Sequence, residues 1–391
     1  MSATFDVAVV GLGAVGSWAL HAASAQGLRV LGLEQYELGH ANGSSHGGAR
    51  VTRSAYFEHP DYVPLIRWST QQLHTLQKSE GVELINRCGA LLLGPPESRL
   101  LQLSAASAQQ FGIETEEISP RSLAERFPQF SLPSEYTGLL EPGAGFLRVE
   151  TSLDTARSAA RRAGAQILDQ TTVVGVTSTA NGIVLATSEG ELNARVVIVA
   201  AGPWTTALFP QLKRWLRVTR QVQGWLKPAS PGSRSITPDT FPCWLIDRPK
   251  HAPLYGIPDD PLDLAHGSKI AIHGDGVIVT PSTVSRRVSA EERGDLQELA
   301  NHWLYPTGAV LDSTNVCMYT STSDGHFVVE ATPDDPRIVA VAGLSGHGFK
   351  MAPALGYASV ELALYGRSSL PVEFLSRQNR QPFPDPAHLA E

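Results

Sequence analysis

The sequence predicts a mixed α/β (α+β) fold of two interleaved domains, one wound around a parallel sheet and one built on a mixed, largely antiparallel sheet. Three observations predict it. The first 34 residues read as strand, glycine turn, helix and strand. Helical periodicity and short apolar runs then alternate along the chain, with no internal repeat and no low-complexity linker. A second glycine-rich strand-to-helix turn begins at Gly343, so similar motifs stand at both ends.

The elements follow in order. Phe5-Asp6-Val7-Ala8-Val9-Val10 is a β-rich apolar run, broken by Gly11-x-Gly13-x-x-Gly16. Residues 17–26 have helical composition, Gly27 stops them, and 29–33 form a second strand ending at Glu34. In this Rossmann-like context Gly11 permits the tight turn, Gly13 lets backbone N–H groups approach a pyrophosphate, and Gly16 allows close helix–strand packing. The helix N-terminus favours the anion. Glu34 is suited to a ribose hydroxyl, which points to FAD or NAD rather than NADP. Helical patterns recur near 61–79, 98–112, 151–164, 290–304 and 352–366. Strand-like runs fall near 89–93, 172–177, 183–187, 196–200, 269–273, 316–319 and 338–341. The run from Arg195 to Gly202 reads as a buried strand ending in a glycine turn, and the Pro/Gly-rich region 227–258 as loops joining sheet elements.

Composition narrows the partners. A net charge of −7, from 38 acidic and 31 basic side chains without a long basic run, argues against nucleic acid and anionic membranes. Cys88, Cys243 and Cys317 fit neither a disulfide framework nor a Cys-x-x-Cys metal site, so no metal is expected and a reducing cytoplasm is. No apolar run is long enough for a transmembrane helix.

Two clusters carry chemistry. Arg50 and Arg53 share a face if their segment is helical and oppose each other if it is extended; a planar guanidinium is the natural partner of a carboxylate. Lys269 and His273 lie on an alternating strand and share one face.

Four segments together resemble the monomeric sarcosine oxidase and N-methyltryptophan oxidase family of flavoenzymes: the N-terminal fingerprint, the run from Ser44 through His46, Arg50 and Arg53 to Tyr56, then Cys317-Met-Tyr319-Thr with Asp324-Gly-His326-Phe327, and Gly343-Leu-Ser-Gly346-His347-Gly348-Phe-Lys350. The resemblance covers nearly the whole chain. It implies an FAD-binding domain of residues 1–82, 145–218 and 318–391, and a substrate domain of 83–144 and 219–317. It implies a covalent bond from Cys317 sulfur to FAD, with Gly11, Gly13, Gly16, Glu34, His46, Arg50, Val173, Gly202, Gly346, His347, Gly348 and Lys350 also against the cofactor. Arg53 and Lys350 would take the substrate carboxylate, Tyr255, Tyr319 and His273 would line the pocket, and Lys269 would stand near flavin N5. The expected activity is that of a monomeric, cytoplasmic enzyme oxidising a secondary amino acid, N-methyl or cyclic, with O2 reduced to H2O2. A dehydrogenase of the same fold, passing electrons to another acceptor, stays open. One departure stands out: family members often carry His-His-Gly-Asp-Thr-Arg where this chain reads Ser45-His46-Gly47-Gly48-Ala49-Arg50.

Overall fold

A computed structural model describes residues 4–228, 236–262, 267–274, 276–304 and 308–384. The first strand, Thr4–Val10, runs at the centre of a parallel arrangement, between Val30–Leu33 and the second half of Gly190–Val199. Gln166–Leu168 and Asp335–Ala342 extend this order outwards, also in parallel. Val7, Ala8, Val9 and Val10 are all buried: Val7 and Val9 pack with the helices, and Ala8 and Val10 with a second cluster that includes Leu185, Phe209 and Leu212, so no polar face is left for alternation to mark. The helices Ala14–Ser24, Val149–Arg162 and Ala352–Tyr365 pack together against it. A Cβ at Gly356 would stand 2.6 Å from the Ala19 nitrogen, so the crossing of first and last helix requires glycine there.

The second sheet is antiparallel throughout except where Cys243–Arg248 runs parallel to Ala90–Gly94. Its spine is the pair Arg217–Pro228 and Ala309–Ser321. These two strands run through the expected domain boundaries at 218/219 and 317/318. A small third sheet, Ala49–Thr52, Gly145–Arg148 and Ile85–Asn86, joins the layers. From it Arg148 reaches Asp260 in a buried bidentate ion pair, Nε–Oδ2 2.7 Å and Nη2–Oδ1 3.0 Å.

The structure corrects one sequence expectation and adds two details. Region 227–258 is not simply loops: where described, it contains the antiparallel pair Cys243–Arg248 and His251–Ile257, turned through Lys250 at φ 67°. The turn after Gly343 does not open directly into a helix; a single tight turn, Phe349–Met351, carries Lys350 before the helix starts at Ala352. Cys88 and Cys243, distant in sequence, are free thiols whose sulfurs lie 3.8 Å apart.

Candidate active site

One cavity of about 500 Å³ runs from the glycine fingerprint to Arg53 and Lys350. At the first end Gly11 has φ 86°, and a Cβ there would meet the Ala200 oxygen at 2.7 Å. A Cβ on Gly16 would fall 1.7 Å from the Gly11 oxygen, which makes the helix–strand approach possible only with glycine. The helix begins just beyond Gly13, which offers no capping side chain, and the 3.0 Å bond from the Ala14 N–H to Ser45 Oγ ties the 44–50 segment to it. Residues 11–15 all line the cavity, presenting a helix N-terminus to a phosphate.

Glu34 faces the same end and is buried. It accepts the Leu12 N–H at 2.9 Å and the Tyr36 N–H at 3.2 Å, with His40 Nε2 at 3.3 Å. Burial alone would raise its pKa; His40 and the backbone donors outweigh it and hold the carboxylate ionised. A carboxylate has lone pairs for about four donors, which leaves room for a ribose hydroxyl. Val173 and Gly202 line this end as well. The donor set therefore fits a dinucleotide with an unphosphorylated ribose.

The middle of the cavity is floored by one face of the second sheet. Register sets Tyr255 opposite Ala271, Ala271 opposite Gln223, and Gln223 opposite Asn315. One row away Lys269 pairs with Trp225, and in the other direction Gln221 pairs with Cys317. Alternation puts all of these, with Tyr319, on a common face. Tyr255, His273, Gln223 and Tyr319 line the cavity, and His273 Nδ1 lies 3.2 Å from the Tyr319 hydroxyl. Burial pushes both tyrosine pKa values up and that of His273 down, so all three are neutral. Gly346 is required by this packing, since a Cβ there would lie 2.3 Å from the Tyr319 ring.

Three expected residues stand one layer behind the wall. Lys269 Nζ donates to the Gly47 and Ala49 carbonyls at 2.8 and 3.3 Å. His46 bridges the Gly43 carbonyl and Asn315, and burial, helped by Arg50 and Lys269, holds its pKa down at about 3. Cys317, 1% exposed, has its sulfur 3.7 Å from the Ser44 carbonyl and 4.0 Å from Arg50 Nη2. Ser44 and Arg50 line the cavity directly. Arg50 lies in an extended segment and spans the Ser44, His46 and Ala49 carbonyls. The Gly47-Gly48 departure has a backbone reason: both residues have positive φ, 87° and 76°, and both donate N–H to Glu150, at 2.7 Å from Gly47.

At the far end Arg53, Glu58, His347 and Lys350 meet. Arg53 is already paired, through Nη2 to Glu58 Oε2 at 2.8 Å and Nη1 to the Ala55 carbonyl at 2.6 Å, and its guanidinium stacks on Phe57 at 4.2 Å. Lys350 Nζ donates to the His347 carbonyl at 2.9 Å. Burial, with Arg53 in the same direction and Glu58 opposing, brings the Lys350 pKa down to about 7. Gly348 lines this end too. Glu58, Phe57, Glu150 and Gln223 were absent from the sequence expectations; an acid five residues after Arg53 was the available signal for Glu58.

The family described as FAD dependent oxidoreductase matches residues 6–362. The chain belongs to that family. It is 35% identical over 378 residues to monomeric sarcosine oxidase of Streptomyces avermitilis, covering 95% of this chain and 97% of the relative. It is 33% identical over 356 residues to N-methyl-L-tryptophan oxidase of Yersinia pestis, covering 90% and 93%. Among solved structures, NikD, an amino acid oxidase essential for nikkomycin biosynthesis, superposes with a TM-score of 0.83 at 22% identity over 97% of this chain and 98% of that one. L-proline dehydrogenase from P. horikoshii gives 0.82 at 20% identity, over 98% and 100%. These last two likenesses speak for the fold. This flavoenzyme has no helix among its described residues long and apolar enough to cross a membrane.

Proposed function

We propose that the chain oxidises a secondary amino acid, N-methyl or cyclic, at the C–H next to nitrogen, and returns the electrons to O2 as H2O2. The observation that carries this reading is the convergence of two cations, Arg53 and Lys350, at the end of the cavity opposite the helix N-terminus and Glu34. A dinucleotide fits one end and a small carboxylate the other. FAD, when bound, supplies the two-electron acceptor for the substrate's hydride equivalent.

The protein's own part is binding and orientation. Arg53 and Lys350 fix the carboxylate and so place the adjacent C–N bond, while neutral Tyr255, Tyr319 and His273 line the wall beside it. The amine reacts as the free base. Oxidation gives an imine; for an N-methyl substrate, R–NH–CH3 with O2 and H2O yields R–NH2, formaldehyde and H2O2. Glycines 11, 13 and 16 with Glu34 would hold the adenosine and pyrophosphate, and Arg50, Lys269, His46 and Cys317 would serve the flavin ring, Cys317 as its covalent attachment. The partners are the amino acid and O2, and the chain acts as a monomer in the cytoplasm.

The test is a panel of sarcosine, N-methyltryptophan, pipecolate and proline, read by peroxide and by aldehyde or imine product. Stoichiometric peroxide with at least one member is expected. Turnover only with an artificial electron acceptor would replace the oxidase reading by a dehydrogenase one, and no turnover with any member would overturn the substrate class.

A further inference from the structure

Tyr56 is buried, and three groups of the anion end converge on it. Its hydroxyl lies 2.6 Å from His347 Nδ1 and 3.5 Å from Lys350 Nζ. Its ring lies under two cations, with Arg53 Cζ at 4.7 Å and Lys350 Nζ at 5.1 Å from the centroid. The far end of the chain sets the direction of these bonds. His347 Nε2 is 3.1 Å from the Gly325 carbonyl, which can only accept, so Nε2 carries the proton. Burial holds the His347 pKa down at about 3, so its ring is neutral and Nδ1 accepts. The Tyr56 hydroxyl therefore donates to His347 and offers its lone pairs to Lys350. With a second N–H on the His347 carbonyl, one N–H of the ammonium is left for the cavity that Lys350 lines.

We infer that Tyr56 is the positioning residue of the anion subsite: its hydroxyl aims Lys350 at the cavity and its ring holds Arg53 alongside, so that both cations meet one carboxylate. This rests on the reading of Arg53 and Lys350 as the carboxylate clamp. The groups facing Lys350 are Glu58, Arg53 and Tyr56 from the 53–58 segment, His273 from the sheet and His347 from its own turn; Tyr62, from the helix Tyr62–Glu80, packs behind on His347. Among the described residues, Tyr56 alone offers Lys350 both a ring face and a hydroxyl.

The test is titration of the FAD-loaded enzyme with acetate, followed by the flavin visible spectrum across pH, with neutral acetamide as control. Losing a hydrogen bond to a charged group, Tyr56→Phe should weaken acetate about tenfold at acid pH. It should also lower the pH at which acetate binding falls away, because the ammonium loses an acceptor. Tyr56→Leu, which removes the ring as well, should weaken acetate further. In a Lys350→Met background the pH effect of Tyr56→Phe should vanish. Acetate affinity and pH profile unchanged in Tyr56→Phe would overturn the inference, as would equal losses for acetate and acetamide. None of these readouts needs turnover, so failure of the substrate panel would leave the inference standing or falling on its own.

Discussion

Arg53 and Glu58 form an ion pair in the cavity wall, Nη2 to Oε2 at 2.8 Å, where a substrate carboxylate would have to bind. Burial pushes the Glu58 pKa up, but Arg53, then His347 and Lys350, outweigh it and hold it at about 2. The guanidinium therefore has an internal competitor at every working pH.

Removing that competitor should help the ligand. Glu58→Gln is expected to tighten acetate binding about tenfold at acid pH, a change of about 1.4 kcal/mol. It should also move the loss of binding to lower pH, since Glu58 supports the charge on Lys350. Acetate titration at fixed pH checks this, and equal or weaker binding would show that Glu58 does not compete.

Lys350 sets a pH dependence whose sign can be worked out. Its pKa is lowered to about 7 by burial first, so the free enzyme loses the ammonium as pH rises through that value. Acetate affinity should therefore decline above about pH 7, whereas kcat/KM, which also carries the free amine of the unbound substrate, should stop rising there. A bound carboxylate favours the charged lysine, so kcat should keep rising with free amine. Lys350→Met should remove the alkaline decline in acetate affinity; its persistence would assign the decline to another group.

Flavin attachment is tested by acid denaturation. Yellow flavin should stay with the wild-type polypeptide and leave the Cys317→Ser polypeptide. The buried sulfur, packed on the Ser44 carbonyl, must turn towards the cavity for this bond. Flavin released from wild type would end the covalent proposal and leave FAD dependence untouched.

The buried pair Arg148–Asp260 ties the small sheet to the segment after the hairpin 243–257. Arg148→Met strands the Asp260 charge and should destabilise the fold by about 3–5 kcal/mol, whereas replacing both partners with apolar residues should recover most of it. Denaturant unfolding of the three proteins decides; a loss under about 1 kcal/mol in the single variant would contradict it.

The N-terminal half of the site was legible because its chemistry is local. Gly11, Gly16 and Glu34 lie within one strand–helix–strand unit, and each glycine answers a steric demand that spacing alone reveals. Strand 217–228 was not, because its cavity face carries Gln221 and Gln223 where apolar alternation would have marked a strand. The hairpin 243–257 was hidden by the Pro/Gly-rich composition around it. Glu150 escaped for another reason: its partner, the Gly47–Gly48 backbone, is remote in sequence, and only folding brings the two together. His46, Lys269 and Cys317 stand behind the cavity wall, since motif membership does not say which side chains reach a surface.

The central claim is that the Arg53–Lys350 end selects a carboxylate and thereby presents the neighbouring C–H to the flavin. Anaerobic mixing of the FAD-loaded enzyme with a secondary amino acid, and with the matching amine that lacks the carboxylate, tests it without reference to O2. Loss of the oxidised flavin band is expected with the amino acid, and a rate at least about 100-fold lower with the decarboxylated amine, the effect of a charge-assisted pair contributing about 3 kcal/mol. Equal bleaching by both compounds, or by neither, would contradict the account.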